Sequence, residues 1–144
     1  MSGKTFMLMA GGTGGHIFPA LAVAESLQKR GHHVIWLGSQ DSMEERIVPQ
    51  YSIRLETLAI KGIRGNGIKR KLMLPFTLYK TVRAAQQIIK KHRVECVIGF
   101  GGFVTFPGGL AAKISGVPIV IHEQNAVAGL SNRQLSRWAK RVLY

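Results

Sequence analysis

The sequence is poor in cysteine and in acidic residues. It carries one cysteine, Cys96, in 144 residues, so no disulfide can form within the chain. That points to a reducing compartment. Cys96 stands in the apolar run VECVIGF, the setting of an inert core thiol. No stretch reaches the ~20 continuous apolar residues that a spanning helix needs. The start, MSGKTFMLMAGG, is too briefly apolar for a secretory signal and runs straight into glycine. Metal-ligand spacing is missing as well. Of the five histidines only His32 and His33 are close together, with no cysteine or carboxylate cluster beside them. There is no G-x-S-x-G elbow and no catalytic-cysteine motif. A cytosolic protein without metal or cofactor is the expectation, with attachment to a membrane surface left open.

Acids are scarce in a patterned way. Lys and Arg total 20 against 7 Asp and Glu, a formal charge of +13. Such a field favours anionic partners: nucleic acid, acidic lipid or phosphorylated substrates. Lys61 to Arg93 holds ten basic residues and no acid, and a second acid-free stretch runs from Ala126 to the end. Hydrophobic content of 46% and charged content of 19% describe a folding chain, of single-domain length.

Apolar runs alternate with helical patterns. TFMLMA (Thr5 to Ala10), Val34 to Leu37, Ile53 to Ile60, Glu95 to Gly99 and Pro118 to His122 read as strands. Ile17 to Arg30 reads as a helix stopped by Gly31. Met43 to Pro49 is a short helical piece, and Ile68 to His92 is helical with a break at Pro75. Leu110 to Ser115 and about Leu130 to Lys140 complete the helices, and Val142 to Tyr144 begins a further strand. This alternation predicts an α/β fold, a Rossmann-like parallel sheet with helices on both faces. A strand starting at Val142 without a following element suggests the first half of a larger protein.

The connections carry the chemistry. GGTGGH, Gly11 to His16, lies between a strand and a helix, where glycines admit a ligand close to backbone and helix-start N–H groups face an anion. It is neither a Walker A loop nor GxGxxG, since Ile17 takes the last glycine position. A tight connection without a ligand is the alternative. His16 is a candidate for binding phosphate or moving a proton, or else a helix cap. GFGGFVTFPGG, Gly99 to Gly109, is a second loop of this kind, with Gly101 and Gly102 leaving room and Thr105 an N-cap or hydroxyl donor. Its alternative is packing, where a helix crosses the sheet. HEQN, His122 to Asn125, ends the last clear strand; Glu123 is a base or orienting group, or ties the loop to backbone. KRKLMLPFTLYK joins Lys69, Arg70 and Lys71 to Leu72, Phe76 and Tyr79, with Val82 beyond, the composition of a membrane-surface patch. Solvated lysines on a packed helix are the alternative there.

MAGGTGGH, KGIRGNGIK, GFGGFVTFPGGLAA and IHEQNAVAGLSNR stand together, in this order, in the MurG family, and the chain resembles that family over essentially its whole length. The resemblance implies the N-terminal, acceptor-binding half (1–144) of a glycosyltransferase B arrangement, with the C-terminal donor-binding half absent. It implies transfer of GlcNAc from UDP-GlcNAc to the C4 hydroxyl of MurNAc in lipid I, with inversion, to give lipid II for peptidoglycan. Thr13, Gly14, Gly15 and Asn125 would contact substrate, and His16, Gly101, Gly102, Thr105 and Glu123 would line the cleft. His16 is the first candidate for general base and Glu123 the second. Lys69, Arg70, Lys71, Leu72, Phe76, Tyr79 and Val82 match the membrane patch, at the cytoplasmic face of the bacterial inner membrane. Partners would be UDP-GlcNAc, lipid I, an anionic membrane surface and the C-terminal half, with no cofactor. Phe103 and Phe106 depart from the family's usual residues. A nucleic-acid module and a dinucleotide-binding oxidoreductase are the competing classes. No nucleic-acid motif supports the first, and Gly38-Ser39-Gln40 in place of an acid disfavours the second.

Overall fold

The computed structural model describes residues 3–11, 14–40, 42–61, 75–102, 104–122 and 141–143. In chain order these form β1 (Thr5–Ala10), α1 (Gly14–Lys29), β2 (His33–Gln40), α2 (Met43–Ile47), a 3₁₀ turn (Val48–Tyr51), β3 (Arg54–Lys61), α3 (Pro75–His92), β4 (Cys96–Gly101), α4 (Thr105–Ile114), β5 (Ile119–His122) and β6 (Arg141–Leu143). All pairings are parallel and the strand order is β3-β2-β1-β4-β5-β6. The expected α/β sheet is therefore present, with its order reversing between β1 and β4. The proposed helix over Leu130 to Lys140 and the loop from Gly62 lie outside the described residues.

β1 shows why the sheet is central. Side chains alternate across a strand, and both sides of β1 are buried. Met7 and Met9 join a core with Val82, Ala85 and Ile89 of α3 and Ala111 and Ala112 of α4. Leu8 and Ala10 join the opposite core with Ile17, Ala20, Leu21 and Ala24 of α1 and with Trp36. An apolar run without polar alternation is what two covered faces require.

Three helices hand over to the next strand in the same way. After α1, His32 N–H donates to Leu27 O at 3.1 Å and Gly31 N–H to Gln28 O at 3.0 Å, with Gly31 at φ +85°. Gly116 repeats this after α4, at φ +74°. These paired bonds consume carbonyls that a helix end leaves open. After α3 the left-handed position is taken by Arg93, at φ 53°, where no glycine signals the stop.

Two helix starts differ from expectation. α1 begins at Gly14 rather than Ile17, and α4 begins at Thr105 rather than Leu110. In α4, Pro107, Gly108 and Gly109 all lie within the helix despite poor propensity. A Cβ at Gly108 would come 2.9 Å from Leu37 Cδ2, so glycine lets the helix press directly on the sheet. Cys96 is half-buried; burial pushes its thiol up, partly offset by Lys4.

Glu56 on β3 ties down the end of α3. Its Oε2 lies 2.6 Å from His92 Nε2 and 3.2 Å from Lys91 Nζ. Burial acts to raise the Glu56 pKa, but the hydrogen bonds and charges of His92 and Lys91 outweigh it, and the net shift is downward. A depressed carboxyl pKa adds stability above the unfolded value and loses it as pH falls through the folded one. Glu56→Gln should therefore lower the melting temperature at pH 7, by the equivalent of ~0.5–1 kcal/mol for a partly exposed cluster. The gap to the parent should close as pH drops below 4.5, the ordinary value for this group. Thermal unfolding followed across roughly pH 3 to 7, a span that includes the ordinary carboxyl titration, checks this. A gap constant across that span contradicts the assignment.

Candidate functional site

The candidate functional edge is the carboxyl end of the sheet, where strand order reverses. Connections leaving β1 and β4 depart toward opposite faces there, and the gap between them is the usual ligand crevice of open α/β sheets. Register puts the three motifs side by side: Met9 of β1 is opposite Gly99 of β4, and Gly99 is opposite Ile121 of β5. GGTGGH, GFGG and HEQN thus issue from adjacent strand ends. The register slips between Met9 and Ala10, so β1 and β4 finish out of step at the edge.

Gly11 and Gly102 meet backbone to backbone. A Cβ at Gly102 would lie 2.7 Å from Gly11 O and 3.1 Å from Gly11 N. Gly101 and Gly102 also have φ of +121° and +100°, which side-chain-bearing residues rarely adopt. Here the glycines serve close approach, whereas Gly108 serves packing. The packing reading of the second motif therefore holds at Gly108.

Gly14 and Gly15 open the 16-residue helix α1. The first N–H groups of a helix lack partners within it and carry the positive end of its dipole. His16 is the third residue of this helix; Thr13 and the His16 side chain lie outside what the structure describes, as do Phe103, Glu123 and Asn125. His122 closes β5, with its ring 5.2 Å from that of Phe100.

Thr105 differs from its expected role. It is the first residue of α4, not its cap; the capping position is Val104, with no side-chain cap bond. The Thr105 N–H donates to Gly102 O at 3.2 Å. Its side chain is fully buried, and Oγ1 has no hydrogen-bond partner among the described residues. An orphaned buried hydroxyl costs ~1–3 kcal/mol. Phe106 is half-buried beside it.

Helix α3 has two faces. Leu78, Val82, Ala85 and Ile89 point into the core, and Phe76 and Tyr79 are 73% and 64% exposed. Val82 must therefore leave the proposed surface patch: at 8% exposure it is a core residue. It lies four residues after Leu78 and three before Ala85, on the row of α3 that meets the sheet. Lys80 Nζ stands 5.3 Å above the Phe76 ring, and Lys80 and Arg83 are exposed with the aromatics. Lys69, Arg70, Lys71 and Leu72 lie outside the described residues. Among the described residues no helix is long and apolar enough to cross a membrane, and none group as a metal site.

One feature of this edge escaped the sequence reading. Glu44, in α2, is fully buried. Its Oε2 accepts from Ser39 N–H at 2.9 Å and from Ser39 Oγ–H at 3.1 Å. The only signal for it was two glycines, Gly11 and Gly38, with no positive φ to explain them.

Known proteins match this chain throughout. The family model for the glycosyltransferase family 28 N-terminal domain matches residues 6–144. A Neisseria gonorrhoeae protein named UDP-N-acetylglucosamine--N-acetylmuramyl-(pentapeptide) pyrophosphoryl-undecaprenol N-acetylglucosamine transferase is 92% identical over 144 residues, covering 100% of this chain and 41% of that protein. A Shewanella loihica protein of the same name is 53% identical over 142 residues, covering 99% of this chain and 39% of the relative. The crystal structure of Acinetobacter baumannii MurG superposes with a TM-score of 0.85 at 52% identity, over 96% of this chain and 40% of that one. The Streptomyces glycosyltransferase SsfS6, at 12% identity and a TM-score of 0.66, shares the fold. The chain thus spans about two fifths of the length of these curated relatives. With its motifs gathered on one sheet edge and the family match running from β1 through β6, the chain belongs to the glycosyltransferase family 28 N-terminal domains, as its resemblance to MurG implied.

Proposed function

We propose that this chain is the acceptor-binding, membrane-associating domain of an enzyme that transfers GlcNAc from UDP-GlcNAc to the C4 hydroxyl of MurNAc in lipid I, with inversion, giving lipid II. The observation that carries the reading is the meeting of the two glycine motifs, Gly11 with Gly102, at the strand-order reversal. Identity of 92% to the gonococcal transferase supports the substrate class. The diphosphates of both substrates would lie against the start of α1, with Thr13, Gly14, Gly15 and Asn125 as contacts, and along Gly101 and Gly102. Fixed N–H dipoles stabilise charge that grows on the leaving UDP without reorganising. The opposite wall of the cleft would come from a C-terminal domain, as in the full-length relatives, so this half alone would bind without turning over.

In the reaction the C4 hydroxyl attacks the anomeric carbon from the face opposite UDP. The bond to the UDP oxygen breaks, and a base takes the hydroxyl proton. His16, at the mouth of the first loop, is the base of choice, and Glu123 is the second candidate. His16→Ala in the full-length enzyme should reduce transfer by about 10²–10⁴-fold, the usual worth of a positioned base. Turnover near that of the parent passes the role to Glu123.

The exposed aromatic and basic side of α3 would seat the protein on the cytoplasmic face of the inner membrane, as a peripheral protein. Phe76 and Tyr79 enter the interface while Lys80, Arg83 and the run Lys69 to Lys71 meet anionic headgroups, each cation adding ~1 kcal/mol. Replacing Leu72, Phe76 and Tyr79 together with Ser should abolish most sedimentation with vesicles rich in anionic lipid, while the fold, followed by circular dichroism, stays intact. Unchanged sedimentation of the folded variant refutes the patch.

A further inference from the structure

Glu44 takes no part in the chemistry proposed above, yet it is the only acidic side chain that is buried among the described residues. Removing a carboxyl group from water is costly unless its hydrogen bonds are replaced. The turn after β2 replaces them. Ser39 gives Oε2 both its N–H and its hydroxyl proton, and Ser42 Oγ bonds back to Ser39. The carboxyl group is thereby fixed at the end of β2, next to the end of β1.

Two glycines exist in the shape of this side chain. A Cβ at Gly38 would lie 2.5 Å from Glu44 Cγ, and a Cβ at Gly11 would fall on Oε2 and lie 3.1 Å from Cδ. A surface carboxyl could swing aside, but this one is buried, bonded to Ser39 and hemmed in by Gly38. Gly11 also meets the backbone of Gly102. The first residue of GGTGGH is thus seated between an immobile carboxyl group and the backbone that follows β4.

We propose that Glu44 is a positioning residue for the glycine loop. Its carboxyl group is a stop against which Gly11 seats, and it sets how closely the start of α1 approaches Gly101 and Gly102. It thereby sets the spacing of the two substrate diphosphates. This rests on reading the loop as the diphosphate site.

The test is made in the full-length enzyme, with UDP-GlcNAc and a lipid I analogue, measuring kcat/KM and Tm together. Gly11→Ala, whose methyl group collides with the carboxyl group, should lower kcat/KM by about 10- to 100-fold, as expected for ångström-scale misplacement. Glu44→Ala, which removes the stop, should do the same. The double variant should recover most of the loss of Gly11→Ala, because the new methyl group enters the vacated space. Glu44→Gln keeps the shape and one acceptor oxygen and should stay near the parent. Val48→Ala, in the adjoining turn and fully buried, should lower Tm without lowering kcat/KM. Where Glu44→Ala does not fold, Glu44→Asp, with its withdrawn carboxyl group, replaces it in the rescue. A double variant no better than Gly11→Ala overturns the proposal. So does Val48→Ala losing as much kcat/KM as Glu44→Ala for the same fall in Tm. An unsubstituted enzyme that transfers nothing from UDP-GlcNAc overturns the functional reading itself, a result separable from the others.

Discussion

The contact between Gly11 and Gly102 is the constraint on which the functional edge depends. Strand order reverses between β1 and β4, so their outgoing connections diverge and would leave an open gap. The two backbones close the floor of that gap without side chains. The start of α1 lies at the same edge, a surface of backbone N–H groups. A surface of that kind suits phosphates, which need donors at short range more than they need apolar enclosure.

Much of the architecture was legible in the sequence. Thr5 to Ala10 matched its strand to the residue, because an apolar run bounded by glycines has no competing reading. The bringing together of three motifs followed from topology, since each stood after a strand and a parallel sheet collects strand ends. The failures have local causes. The start of α4 was read as loop because Pro107, Gly108 and Gly109 disfavour helix in isolation, and only the press of Gly108 on Met9 and Leu37 makes the helix worthwhile. Val82 was assigned outward because composition alone does not say which side of an amphipathic helix meets the sheet. Glu44 was invisible, because a single acid in MEER is indistinguishable from a solvated one until the glycines that accommodate it are placed around it.

The same domain carries two unlike surfaces, and their separation follows from α3. This helix commits one side to the core under β1 and leaves an aromatic and basic side outward. Glu56 and His92 hold its far end to β3, so the outward side is fixed relative to the sheet. Under the proposed function, an acceptor that is both lipid-anchored and phosphorylated would use this pairing: a place to rest on the bilayer and, at a set distance, amides for its charged group.

The Trp36 indole N–H donates to Ala10 O at 2.9 Å, at the residue immediately before the glycine loop, and the side chain is wholly buried. It satisfies a carbonyl at the point where the β1 ladder slips. It also makes the protein its own optical gauge. An indole bonded at the end of β1 changes its emission when that carbonyl shifts, so the Trp36 share of the protein's fluorescence reports on the strand end from a site that no ligand needs to touch.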